Sequence, residues 1–138
     1  MKKLLIIDDD EMMLSALSYF FRGEDYKVVT SPDGFQGIEL FQKHKPDVVL
    51  VDLSMPSIHG FEVLDRIKKL DRDAKIVIIT GYASSEVMQL SIDKGAFAFY
   101  DKTMDVEILR EQVEKAVEAP KVRPRVPFAA SSVSKEVK

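Results

Sequence analysis

The chain has 138 residues, 46% hydrophobic and 31% charged, with no cysteine and a formal net charge of -3. That length suits one domain with a true core and is short for two, and the composition is that of an ordinary soluble globular protein with no apolar run of about 18 residues to suggest a membrane span. The lack of cysteine excludes disulfides, thiolate metal sites and a cysteine nucleophile, so a bound metal is expected to use oxygen ligands.

In chain order, Met1-Lys2-Lys3 precedes only four apolar residues before three aspartates. That is too short for a signal peptide and predicts a cytoplasmic protein. A first strand over 3–8 runs into Asp8, Asp9 and Asp10. Helix one follows from Asp10 or Glu11 to Arg22, stopping at Gly23, with Met13, Leu14, Leu17, Phe20 and Phe21 as an inward stripe. Asp10 itself reads as the N-cap or a first-turn residue. After strand two (26–30), Ser31-Pro32-Asp33-Gly34 opens helix two, in which Phe35, Ile38 and Phe41 recur at three-residue spacing. Pro46 precedes strand three (47–52), which ends in Asp52. Helix three follows Ser57-Ile58-His59-Gly60 with Phe61, Leu64 and Ile67 inward, and Asp71-Arg72-Asp73 reads as a solvated turn. Strand four (75–80) ends in Thr80, and a shorter, more polar helix four runs from Ser85 to about Lys94. Strand five (96–101) leads to Lys102. Helix five begins near Asp105, a suitable N-cap, carries Val106, Leu109, Val113 and Val117 on one face, and ends by Ala119 and Pro120. Ile108 and Tyr100 read as apolar residues on a partner face or scattered on the surface, and His44 and His59 as polar surface.

Five strands alternating with five helices, each strand apolar without polar alternation, predict strands covered on both faces by crossover helices. The expected fold is α/β: a doubly wound, five-stranded parallel sheet of (βα)5, flavodoxin-like type, with strand order 2-1-3-4-5. The folded domain is expected over residues 1–119. Residues 120–138, with prolines at 120, 124 and 127, read as a basic linker or tail. Charge divides at the same place: residues 1–118 hold 15 Lys and Arg against 22 Asp and Glu, and 119–138 hold 5 against 1. An acidic body argues against direct nucleic-acid binding by the domain, because that affinity rests on cations neutralising phosphates.

The chemistry gathers at strand ends. In an open parallel sheet the C-terminal ends of the strands border one crevice, so Asp8, Asp9, Asp52, Thr80 and Lys102 are predicted to meet. Carboxylates about 5 Å apart repel by roughly 3 kcal/mol at an effective dielectric of about 20, and an all-oxygen acidic pocket is what a hard divalent cation prefers. Mg²⁺ (or Mn²⁺) is the expected cofactor. A partly hydrated Mg²⁺ leaves room for a phosphoryl oxygen, and a carboxylate can accept the phosphoryl group, so Asp52 is the candidate nucleophile. Lys102 suits the phosphoryl oxygens, and Thr80 offers a hydroxyl beside the Gly81 N–H.

These residues resemble a family, the receiver domains of two-component response regulators. The resemblance covers about residues 2–118 through Ile-Ile-Asp-Asp-Asp, Val-Asp-Leu-Ser-Met-Pro, Ile-Thr-Gly and Phe-Tyr-Asp-Lys. It implies Asp52 as phosphoacceptor, Asp9 as a direct metal ligand, Asp8 as a ligand mostly through water, and the Ser54 carbonyl as a further ligand. It also implies Thr80 and Lys102 on the phosphoryl group and Phe99 as an aromatic switch that, with Thr80, reshapes the face of helix four, strand five and helix five. Ser54 and Tyr82 would tune phosphoryl lifetime. The implied partners are a sensor histidine kinase or phosphotransfer protein upstream and a downstream protein or effector domain, with a homodimer allowed and no membrane contact. Such a protein catalyses only its own phosphorylation and dephosphorylation. The family usually has proline after the lysine, often behind a cis peptide; Thr103 stands here, and a trans peptide is expected because a cis bond without proline costs about 2.5–4 kcal/mol.

Three other functions compete. A Mg²⁺-dependent aspartyl phosphatase would use the Asp8, Asp10 spacing, but leaves the Asp52 strand end unexplained. A nucleotide-binding module would need glycines where Asp8-Asp9-Asp10 would repel the anion. A degenerate receiver would bind proteins without phosphorylation, although every chemical residue is present.

Overall fold

The computed structural model describes residues 1–120. The segment 120–138 assigned above to a tail therefore lies, beyond Pro120, outside the described residues. Five strands and five helices alternate: β1 (Lys2–Ile7), α1 (Glu11–Gly23), β2 (Tyr26–Ser31), α2 (Gly34–His44), β3 (Val48–Asp52), α3 (Gly60–Leu70), β4 (Ile76–Thr80), α4 (Ser85–Asp93), β5 (Ala98–Asp101) and α5 (Val106–Glu118). The sheet is parallel throughout, in the order β2-β1-β3-β4-β5, with Leu4 opposite Val48, Val49 opposite Ile76 and Val77 opposite Ala98. This is the expected doubly wound, flavodoxin-like fold.

The pleat divides the core in two. Leu5, Ile7, Val49, Val51, Ile76 and Ile78 face one side, where Phe41, Val63, Leu64 and Ile67 from α2 and α3 cover them. Their neighbours Leu4, Ile6, Val48, Leu50, Val77 and Ile79 face the other side, under Leu14, Leu17 and Phe21 of α1 and Leu109 and Val113 of α5. Every residue of β3 and β4 is buried, which is why those segments are apolar without alternation. Each fully buried Leu, Ile or Val stabilises by about 1.5–3 kcal/mol relative to exposure. The edge strands β2 and β5 are only half covered.

Helix starts follow capping chemistry. The carboxylates of Asp10, Asp33 and Asp105 accept from Met12 and Met13 N–H, Gln36 N–H and Glu107 N–H, and Ser84 caps α4 through Val87 N–H.

Helix one ends at Gly23, as its sequence predicts, and the chain turns at Asp25, with φ of 74°. Aspartate tolerates that left-handed conformation better than most residues. Three local expectations are corrected. Phe35 is 46% exposed under the Arg66 guanidinium, because a strict three-residue spacing drifts off one helical face while Phe41 stays buried. Strand five begins at Ala98 rather than 96, with Phe97 at 37% exposure before the edge strand. Tyr100 is no surface residue: it is 5% exposed, packs against the core under α1 and α5, and its hydroxyl donates to the Met104 carbonyl at 2.6 Å.

Candidate functional site

In this strand order the chain leaves β1 for β2 on one side and returns to β3 on the other, so the C-terminal ends of β1 and β3 flank the switch point of the sheet. Asp8 and Asp9 follow β1 there, and Asp52 ends β3. Asp8 N–H continues the ladder by donating to the Ser31 carbonyl at 3.0 Å, which turns its side chain in beneath the crevice, fully buried. Asp52 is likewise buried, whereas Asp9 is exposed. One carboxylate oxygen from each of the three lies within 4.8 Å of the others.

Lys102, reached from β5, bridges the two buried acids: its Nζ is 2.9 Å from Asp8 Oδ2 and 3.4 Å from Asp52 Oδ1. The approach to Asp8 is an ion pair without an aligned hydrogen bond, so Asp8 Oδ2 is a buried oxygen with no hydrogen-bond partner, while Oδ1 accepts from Asp10 N–H at 2.9 Å. Burial, then the charge of Asp8, push the Asp52 carboxyl up to about 7 against the opposing pull of Lys102. Burial works against the Lys102 ammonium, but Asp8 and then Asp52 outweigh it and hold the group above the ordinary lysine range. A single lysine thus leaves three clustered carboxylates short of positive charge, and the donor set is all oxygen. The residues fit a hard divalent cation.

A cleft of about 350 Å³ opens over this cluster, lined by Asp9, Asp10, Asp52, Ser54, Gly81, Tyr82 and Lys102. Larger grooves of about 520 and 960 Å³ flank α1, but they hold no cluster of buried acids; chemistry rather than size marks the site. The structure brings together Asp8, Asp9, Asp52, Ser54, Tyr82 and Lys102. Thr80 stands at the rim of this set, 1% exposed, with its hydroxyl accepting from Tyr82 N–H at 3.1 Å. Phe99 lies outside the cleft, half-buried against the core on the side where Val87 of α4 packs. Tyr82 is 81% exposed at the mouth.

Further residues shape the loops around the cleft. The Lys102–Thr103 peptide is trans, as is every peptide bond among the described residues. The loop there is held by Asp101, whose Oδ1 accepts from Thr103 N–H at 2.9 Å and from Thr103 Oγ1 at 2.7 Å. An acid two residues before a threonine is the pattern of such a turn, and it was legible in principle. Gly60 brings α3 hard against the strand end, since a Cβ there would stand 2.3 Å from the Asp52 carbonyl oxygen. Asp10 lines the cleft although its carboxylate is engaged as the α1 cap, which leaves the Asp8, Asp10 pair without a free second acid. His59 caps α3 through Nδ1, which accepts from Phe61 N–H at 3.1 Å.

Fold and site together define a flavodoxin-like α/β domain with an acid-lined crevice at its topological switch point. A family profile described as "Response regulator receiver domain" matches residues 4–114, and the chain belongs to that family. It is 32% identical over 114 residues to sporulation initiation phosphotransferase F of Bacillus subtilis, covering 83% of this chain and 92% of that protein. It is 31% identical to the chemotaxis protein CheY of Listeria monocytogenes, covering 84% of this chain and 98% of that one. Against transcriptional regulatory protein GlrR of Escherichia coli it is 30% identical but spans only 26% of the relative's length. Among solved structures, the response regulator TrrA of Thermotoga maritima, in complex with Mg²⁺ and BeF, is similar with a TM-score of 0.77 and 30% identity over 84% of this chain and 99% of that one. Among the described residues no helix is long and apolar enough to cross a membrane.

Proposed function

We propose that this chain is a phosphorylation-controlled switch that accepts a phosphoryl group from a phosphohistidine onto Asp52. The observation that carries the reading is the position of Asp52: buried at the end of β3, between the carboxylates of Asp8 and Asp9 and the Lys102 ammonium, under an open cleft. An Asp52 carboxylate oxygen forms the new bond to phosphorus as the bond from phosphorus to the donor imidazole nitrogen breaks, and the electron pair leaves with that nitrogen. Later attack by water on the aspartyl phosphate returns the carboxylate and inorganic phosphate. Asp8, Asp9, Asp52 and the Ser54 carbonyl would hold Mg²⁺ (or Mn²⁺). The ion, when bound, supplies the positive charge that offsets the acids and the incoming phosphoryl oxygens. The TrrA complex with Mg²⁺ and BeF, at 30% identity, supports that assignment.

Lys102, whose Nζ is 3.4 Å from Asp52 Oδ1, balances the added negative charge. The Thr80 hydroxyl exchanges its bond from Tyr82 N–H for one to the phosphoryl group. Phe99 then turns inward, changing the surface formed by α4, β5 and α5 for a downstream protein or effector domain. Ser54 and the exposed Tyr82 at the cleft mouth set how readily water reaches the phosphorus, and so the lifetime of the signal. The upstream partner is a sensor histidine kinase or a phosphotransfer protein. Residues 1–119 form the receiver, and 120–138 are a basic linker or tail.

The test is intact-mass measurement after incubation with acetyl phosphate and Mg²⁺. The wild type is expected to gain one phosphoryl group, and Asp52→Ala none. No gain in the wild type at any Mg²⁺ concentration contradicts the reading.

A further inference from the structure

The loop between β3 and α3 carries Ser54, and its residues Ser54, Pro56, Ser57 and His59 are all exposed. Burial fixes this loop through Leu53, Met55 and Ile58. It is pinned at its far end, where Gly60 N–H donates to the Leu53 carbonyl at 2.9 Å. It also touches the start of α2, because a Cβ on Gly34 would stand 2.3 Å from Ile58 Cγ2. Between these pins a side chain reaches across. Ser57 Oγ donates to Asp33 Oδ1 at 2.5 Å, over a sequence separation of 24 residues.

Asp33 is anchored independently. Its second oxygen accepts from Gln36 N–H at 2.9 Å as the α2 cap, its N–H donates to Ser31 Oγ at 3.2 Å, and Ser31 Oγ donates to its carbonyl at 2.7 Å. Ser31 is fully buried, and its own carbonyl receives the Asp8 N–H at 3.0 Å. A continuous path of hydrogen bonds thus runs from Ser57 through Asp33 and Ser31 to Asp8, from the Ser54 loop to the deepest acid of the site.

We propose that the Ser57–Asp33 bond is a positioning clasp that holds the β3–α3 loop so that the Ser54 carbonyl faces the Asp8, Asp9, Asp52 cluster, setting the site's affinity for Mg²⁺. This rests on the metal-binding reading given above. Neither residue lines the cleft over the acids, so the clasp acts through the loop and not on the reacting atoms. Its acceptor is ionised, which makes the bond one of the stronger hydrogen-bond types. The Ser57 hydroxyl fills no core space, so its removal loosens the loop without opening a cavity.

The experiment uses the full chain with Mg²⁺ alone as the probe, reading affinity by calorimetry, and follows initial labelling by acetyl phosphate. Ser57→Ala is expected to bind Mg²⁺ about fivefold more weakly, since only part of the lost hydrogen bond is felt at the metal through the loop. Its labelling should slow in step at subsaturating Mg²⁺ and recover at saturation, with the melting temperature within about 2 °C of wild type. Ser57→Thr, which keeps the hydroxyl, should restore affinity. Equal Mg²⁺ affinity in Ser57→Ala and wild type overturns the clasp alone. Parallel loss of affinity and melting temperature also overturns it, by reducing the bond to a support of the fold. A wild type that binds no Mg²⁺ overturns the metal-binding reading and the clasp with it.

Discussion

Asp52 sits where its own ionisation is opposed, and that gives the site a pH signature. Its carboxyl is pushed from 3.8 to about 7 by burial and by the charge of Asp8, so the folded protein holds this proton more tightly than the unfolded chain. A group with a raised carboxyl pKa favours the fold below its unfolded value and loses that contribution as pH rises through the window from 3.8 to about 7. In metal-free protein, Asp52→Asn is therefore expected to gain stability over wild type across that window, by on the order of a few kcal/mol, and to hold a constant lead above it. Urea denaturation at a series of pH values reads this directly, and a difference that does not change with pH counts against it. The sequence placed this acid at a strand end beside two others. It could not place the Lys102 ammonium 2.9 Å from Asp8, because that distance depends on how β5 and its loop sit beside β4 and β3.

At the scale of elements, the site is shaped by how closely helix starts approach strand ends. A methyl at Gly60 would stand 2.3 Å from the Asp52 carbonyl oxygen and 2.6 Å from Leu53 Cα, backbone atoms that cannot swing aside. Gly60→Ala is thus expected to cost about 3 kcal/mol and to slow labelling of Asp52, since it displaces the strand end that carries the acceptor. Gly23→Ala, with nothing within 4 Å of the added carbon, is the control and should leave the melting temperature unchanged or raise it. Caps were legible from residue type alone at Asp10 and Asp105, where an acid precedes an amphipathic run. The start of β5 was not. Apolar residues run continuously from Ala96, yet Phe97 lies beside the Lys75 ammonium at an exposed edge, and periodicity does not distinguish edge from interior.

For the molecule as a whole, cation binding and folding are linked. Three carboxylates face one lysine, and a ligand that binds only the folded form stabilises it by mass action, about 2.7 kcal/mol at one hundred times its dissociation constant. Mg²⁺ is expected to raise the melting temperature by several degrees, and Asp9→Asn to remove most of that rise without lowering the metal-free value. A rise of equal size in Asp9→Asn would place the cation elsewhere. The amino-acid order alone settled the alternation of strands and helices, the burial of β3 and β4, and the four strand ends that carry the chemistry. It could do so because apolar runs, caps and turn residues are local and each strand end is a fixed place in a parallel sheet. Which oxygen Lys102 meets and how Ser57 reaches Asp33 emerge only from the folded arrangement. Those contacts join residues on separate loops, and their geometry is set by the spacing and twist of the strands beneath them, which no local pattern encodes.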